Sequence, residues 1–186
     1  MSTKTATEKT SFVTKQYELK LHGLNRNSNY RVKFEYQVTP TYFAAQFEVQ
    51  KLRGAAWIIP PPKTYELWNF DVVEVFLQWR KDAQDIHAPY LEFELSADEQ
   101  QLGLVIFRPR VQVATLWNYT FTSQAQVEPH LWHSQMTLPW PGQNEGFLYG
   151  GAFSCLGQGP DRQYFSLNPN PESRPDFHRP ELFIPL

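Results

Sequence analysis

Three groups of residues in this chain carry side chains able to do chemistry. The first is DFHRPELF, residues 176–183, where Asp176, His178 and Arg179 stand among prolines and phenylalanines. An acid beside an imidazole suits proton transfer, and the same residues suit a polar clasp that ties the last strand to the body of a fold. The second group is acidic: Glu74 in VVEVFLQ (72–78), with Glu92 and Glu94 in YLEFELS (90–96). Two opposed carboxylates are what hydrolysis of a glycosidic bond requires. The third is Cys155, alone in the chain. A single cysteine permits no intrachain disulfide and no thiolate metal cluster, and in GAFSCLG it reads as a small buried hydrophobe. No Gly-x-Ser-x-Gly elbow supports a serine nucleophile, and no dense Asp/Asn loop supports calcium, so neither a metal nor a cofactor is expected.

The elements that must position these residues are short strands. Tyr17, Leu19 and Leu21 alternate with Glu18, Lys20 and His22, and Tyr30, Val32, Phe34, Tyr36 and Val38 alternate with Arg31, Lys33, Glu35 and Gln37. Both read as strands with one buried face. Phe47 and Val49 mark a shorter strand, and Ile59-Pro60-Pro61-Pro62 is an edge or loop because proline cannot donate to a ladder. VVEVFLQ is apolar on both faces, as a central strand covered on both sides would be. YLEFELS puts Leu91, Phe93 and Leu95 on one face and Tyr90, Glu92, Glu94 and Ser96 on the other, which reads as wet. A turn at 97–100 then leads to a hairpin partner at 103–108. Further strands are expected at 111–117, 124–128, 131–138, 147–155, 162–167 and 182–185. No internal repeat and no amphipathic helix longer than a turn or two interrupts them. About ten short strands in one chain of this length imply two packed sheets rather than one open sheet.

Composition agrees. The 186 residues fit one domain with a real core, and 16% aromatic residues with 15 prolines favour strands over helices. A net charge of -2, with no basic run beyond Arg80-Lys81, gives no phosphate-tracking surface, so nucleic acid is not an expected partner. No stretch is long and apolar enough for a secretory signal or a membrane span, so the reading is cytoplasmic, with no membrane association. Residues 1–12, rich in Thr, Lys and Ser, read as a flexible leader, and residues 13–186 as a single domain.

Four segments, LWNFDVVEVFL (67–77), YLEFELSADEQ (90–100), LWHSQMTLPW (131–140) and YFSLNPNPESRPDFHRPELF (164–183), resemble in that order the DOMON-like domains similar to family 9 carbohydrate-binding modules. The strongest pieces are Trp-x-x-Asp-x-x-Glu and the final Asp-Phe-His-x-Pro-Glu-x-Phe. The resemblance implies an all-β fold, a two-sheet antiparallel β-sandwich of jelly-roll-like form. It also implies a sugar site at one end of the sandwich, with Trp68 and Glu74 matching a stacking tryptophan and a ligand-binding glutamate. An indole covers the C–H face of a pyranose while a carboxylate accepts from its hydroxyls. The family's arginine and asparagine on the next strand fall on Glu94 and Ser96, and its second stacking tryptophan falls near Leu167, with Tyr164 and Phe165 close by. Some DOMON domains bind haem through methionine, but Met136 has the parity of a core residue, so haem is not expected.

Each of these residues has a structural alternative. Trp68 could cap the core, and Glu74, too costly to bury unpaired, could pair with Arg108 or Arg110 across the sheet. Glu92 and Glu94 read as a solvated strand face. The X-Pro steps at Arg174-Pro175 and Arg179-Pro180 fix extended backbone around Asp176-Phe177-His178, with Phe177 and Phe183 as anchors and Asp176 or Glu181 orienting the imidazole. That cluster therefore reads as a corner into the final strand, with a place at the ligand end of the sandwich as its alternative. The function expected is non-catalytic binding of a saccharide or sugar-like small molecule, with Trp68, Glu74, Glu94, Ser96, Arg108, Arg110 and Tyr164 as the candidate ligand-binding residues. A protein-interaction module is the alternative, and a small glycoside hydrolase the third reading.

Overall fold

Alternation decides the first strands. Burying Val32, Phe34 and Tyr36 while Arg31, Lys33 and Glu35 stay toward water needs an extended backbone, and residues 30–38 take it. The computed structural model describes residues 13–23, 27–54, 56–116, 119–139, 146–170 and 175–186, so the expected leader at 1–12 lies outside the described residues. Within them the strands are Val13–Glu18 (β1), Lys20–Leu21 (β2), Tyr30–Val38 (β3), Tyr42–Lys51 (β4), Val72–Arg80 (β5), Tyr90–Ser96 (β6) and Gln101–Arg108 (β7). Then follow Gln112–Thr115 (β8), Thr122–Val127 (β9), Leu131–Pro139 (β10), Phe147–Leu156 (β11), Gln163–Ser166 (β12) and Ile184–Pro185 (β13).

All the pairings are antiparallel and make two sheets. The smaller has the order β1-β3-β4-β10-β9, and the larger β2-β12-β11-β5-β6-β7-β8, with β13 also on β11. The fold is thus the two-sheet antiparallel β-sandwich expected from the sequence. Between the sheets lies the main core, with Phe34, Phe43, Phe47, Trp132 and Met136 from one side meeting Val73, Val75, Phe93 and Leu95 from the other. The strand expected at 182–185 is shorter than that, because Pro180 opens a 3-10 turn over Pro180–Leu182 and only Ile184–Pro185 pairs.

The larger sheet is buried on its second face as well, which settles where the site can be. Leu67, Val72, Phe76, Tyr90, Leu104, Ile106, Phe153 and Phe183 form a second apolar cluster there. Two stretches of irregular chain cover it. The C-terminal stretch from residue 175 lays Phe177 flat on Phe153, with ring centroids 4.5 Å apart, and Phe183 edge-on to Tyr90 at 5.4 Å. The loop before β5 is pinned at Gln100, whose side chain accepts from the Thr64 N–H at 3.1 Å and donates to the Pro60 carbonyl at 3.1 Å. The expectation of a wet face on YLEFELS is therefore corrected: Glu92 is 4% exposed and Glu94 is fully buried.

Candidate functional site

Strand register assembles the site. On the outer face of the larger sheet Glu74 of β5 lies directly opposite Glu94 of β6, Phe76 lies opposite Glu92, and Phe153 of β11 flanks Glu74 on its other side. Because side chains alternate along a strand, residues 74, 92, 94, 153 and 155 all share that face. Three glutamates are thereby brought together under the covering segments, and Cys155 joins them with its thiol 3.5 Å from Glu74 Oε1.

Trp68 reaches the same place from a 3-10 turn, Leu67–Asn69, just before β5. One guanidinium fixes that turn. Arg162 donates to the carbonyls of Trp68, Phe70 (3.2 Å) and Gly157 (2.6 Å), and its head lies 5.5 Å from the ring of Tyr164. Beside it the buried Asp71 carboxylate accepts N–H groups from Gly157 at 2.6 Å and Ile58 at 2.8 Å. Gly157 holds a φ of 76°, in the left-handed region that favours glycine, and a Cβ there would stand 2.9 Å from the Asp161 carbonyl oxygen. Asp71, Gly157 and Arg162 thus form a polar knot that sets the angle at which Trp68 meets the sheet.

The result is a cavity of about 510 Å³. Its floor is Glu74, Glu92, Phe76 and Cys155, and Trp68, Tyr65 and Tyr164 stand along its walls. The C-terminal stretch supplies Asp176, Phe177 and His178, and Arg110 reaches in from the turn after β7 to pair with Asp176. A hollow of about 630 Å³ lies on the outer face of the smaller sheet, among Lys33, Glu48, Gln124, Gln126 and Gln135. It is roomier but presents an ordinary hydrated strand face, with no tryptophan or tyrosine to grip a ligand.

The electrostatics of the cavity follow from burial. It pushes Glu74 up to about 7, against the Cys155 thiol and the charge of Arg162. Glu92 is raised well above the usual carboxylate range by burial and by Glu74, and Glu94 by burial, Glu74 and Glu92. Burial and the neighbouring glutamates hold Cys155 as a thiol, so it is no nucleophile. His178 is lowered to about 4 by burial and by Arg110, and its Nδ1 shares a hydrogen bond of 2.7 Å with the Tyr90 hydroxyl. A floor of protonated or proton-sharing carboxyls can donate as well as accept hydrogen bonds.

Of the residues singled out in the sequence, Trp68, Glu74, Arg110 and Tyr164 meet at this cavity. Glu94 lies on the same sheet face, opposite Glu74 and wholly buried. Two do not line it. Ser96 bonds Asp98 and the Gln100 N–H in the turn between β6 and β7, and Arg108 is exposed at the end of β7. The expected ion pair is also corrected: among the described residues neither Arg108 nor Arg110 pairs with Glu74, since Arg110 is taken by Asp176. Nor, among the described residues, does a carboxylate bond the His178 ring. Asp176 accepts from the His178 backbone N–H at 3.2 Å, and Glu181 binds Arg179. Sequence reading missed Arg162 and the burial of Glu92, and it held Asp71 only as a member of the Trp-x-x-Asp-x-x-Glu motif, with no role. The one local signal was the parity that puts Glu92 and Glu94 on the same side as Tyr90.

No family model matches the chain. It is similar to the zebrafish (Danio rerio) UPF0462 protein C4orf33 homolog, 30% identical over 131 residues, which are 67% of this chain and 63% of that protein. It is 32% identical to the rat (Rattus norvegicus) UPF0462 protein C4orf33 homolog over 130 residues, 65% of this chain and 60% of that one. The chain thus spans less than two thirds of the length of the curated relatives it matches. Among solved structures it resembles a Bacteroides uniformis protein provisionally described as carbohydrate-binding, with a TM-score of 0.67 and 16% identity over 94% of this chain and 84% of that one. It also resembles a family 9 carbohydrate-binding module from Caldicellulosiruptor kristjanssonii, solved with glucose, with a TM-score of 0.58 and 10% identity over 90% and 82% of the two chains. At these identities the likeness shows a shared β-sandwich fold.

Proposed function

We propose that this chain binds a saccharide or sugar-like small molecule in the cavity on the outer face of its larger sheet, without turning it over. The observation that carries the reading is the convergence of Trp68, Glu74 and Tyr164, with Glu92, on one cavity of about 510 Å³. Aromatic walls cover the C–H faces of a sugar ring, and a carboxyl floor meets its hydroxyls in either direction. The solved neighbours include a module in complex with glucose and one in complex with cellotriose, which supports the ligand class. Hydrolysis is the weaker reading. It needs free carboxyls on either side of the scissile bond, whereas Glu74, Glu92 and Glu94 rise from one face of one sheet and Asp176, across the cavity, is paired with Arg110.

Titration with glucose and cellotriose, followed by tryptophan fluorescence and calorimetry, tests the reading. Binding should quench or shift the emission, and Trp68→Ala should weaken it about tenfold or more while the fold survives. A variant that binds as tightly as the parent would remove Trp68 from the site. The second reading, a protein-interaction module, has its own observation in Phe107, Val111 and Val113, which are exposed at the β7–β8 edge of the larger sheet. A well-folded sample that answers to no sugar would put it ahead.

A further inference from the structure

The floor of the cavity carries more negative capacity than a neutral ligand needs. Glu92 is 4% exposed and lines the cavity, and among the described residues its buried Oε2 meets no N–H donor, only the carboxyl of Glu94 with which it can share a proton. Glu94 on the same strand face is wholly buried beside the Glu92 carboxyl and the Trp68 backbone N–H, so the unanswered acceptor that faces the cavity is that of Glu92. Leaving such acceptors unmatched costs free energy, and a protein side chain normally answers them.

The cations nearby are committed elsewhere. Arg110 is paired with Asp176. Arg162 spends its donors on the carbonyls of Trp68, Phe70 and Gly157. The His178 ring is tied through Nδ1 to Tyr90. Nor is the group arranged for a metal: among the described residues no three His, Cys, Asp or Glu side chains are placed to hold one ion. What the floor lacks is a donor with positive charge and several hydrogens, arriving from the cavity side.

We propose that the ligand of this cavity bears a protonated amine that docks on Glu92 and Glu74, so that the preferred sugar is an amino sugar. An ammonium group brings three donors and a charge to carboxyls lying in a site of low dielectric, where such a bond is strongest. The ring that carries it lies along Trp68 and Tyr164. Binding draws protons off the floor, because a cation beside a carboxyl favours its ionised form. This inference rests on the saccharide reading for the ring and on the glutamates alone for the amine.

The test is calorimetric titration of the full chain at neutral pH with glucosamine, glucose, N-acetylglucosamine and cyclohexylamine. Glucosamine should bind about tenfold tighter than glucose, the effect of one charge-assisted hydrogen bond, and acetylation of the amine should remove the advantage. Glu92→Gln should bring the ratio of glucosamine to glucose affinity toward one. Its amide has the shape of the protonated acid and cannot ionise, so a melting temperature no lower than the wild type's checks the fold. The wild-type ratio needs no variant at all. Equal affinity for all three sugars overturns the amine and leaves the saccharide reading standing. Binding of cyclohexylamine with none of the sugars keeps the amine and removes the saccharide. Silence toward all four overturns both.

Discussion

Replacing Glu74 by glutamine should change how stability depends on pH, and the direction is set by burial. In the unfolded chain this carboxyl loses its proton near its ordinary 4.5, whereas in the fold burial holds the proton until about 7. Between those values the folded state binds more protons than the unfolded one, so stability is lost as pH rises through the window. At about 1.4 kcal/mol per pH unit the wild type gives up on the order of 3 kcal/mol by the alkaline end. Glutamine keeps the shape and cannot ionise. The variant should therefore match the wild type in acid and exceed it above neutrality by about that amount, more if relief of the Glu92 and Glu94 shifts adds to it. Urea unfolding followed by tryptophan fluorescence across this pH range reads the difference directly. A variant less stable than the wild type at mildly alkaline pH would refute the reasoning, because it would mean that Glu74 is ionised in the fold and held there by Arg162.

Four further outcomes concern single residues or pairs of them. His178→Ala removes the bond to the Tyr90 hydroxyl and should cost about 1 to 3 kcal/mol in thermal or urea unfolding. Burial holds both His178 and His22 near 4 in the fold, below their usual 6.5, so the unfolded chain takes up protons first and these two groups take stability away as pH drops from 6.5 toward 4, against the gain from Glu74. A His178→Gln variant whose stability tracks the wild type's across that range would contradict it. Arg162→Ala strips the donors from the carbonyls of Trp68, Asn69, Phe70 and Gly157 and should lower stability by about 2 kcal/mol while weakening any sugar response of the tryptophan fluorescence. Unchanged values of both would dissolve the knot as an organising device. Cys155 should resist iodoacetamide in the native protein and react on unfolding, since it is 4% exposed and held as a thiol. Fast native labelling would show that the cavity floor is open.

How much of this the sequence disclosed depends on how local each cause is. β3 and β6 were legible to the residue because strict alternation of large apolar with charged side chains is a local pattern. β4 was underread from Phe47 and Val49, since Tyr42 to Ala45 includes two adjacent alanines that blur the period. The double burial of β5 was legible from its unbroken apolar run. The burial of the polar face of β6 was not, because its cover comes from two irregular stretches, one before β5 and one at the C-terminus, that leave no mark near residue 92. Of the candidate site, the resemblance located Trp68 and Glu74. Arg162 and Asp71 act on backbone N–H and carbonyl groups brought together only by the folded corner, and no spacing in a sequence announces that.

The register of β5 and β6 carries a last consequence. Carboxyls directly across a ladder cannot ionise together without cost, and Glu74 faces Glu94 with Glu92 one step further on the same strand face. Folding alone gains nothing from this arrangement: Val72, Phe76 and Leu104 on the same face show that apolar residues pack there readily. A sandwich of this kind would be more stable with leucine or methionine at those positions. Three carboxyls are instead kept on one face, two of them on the floor of a cavity walled by aromatic rings, with the nearby guanidinium groups turned to other partners. On the proposed reading that cost is offset when a ligand with donors enters, which makes Glu74 and Glu92, ahead of the C-terminal Asp176 and His178 of the same cavity, the first residues to vary in a binding assay.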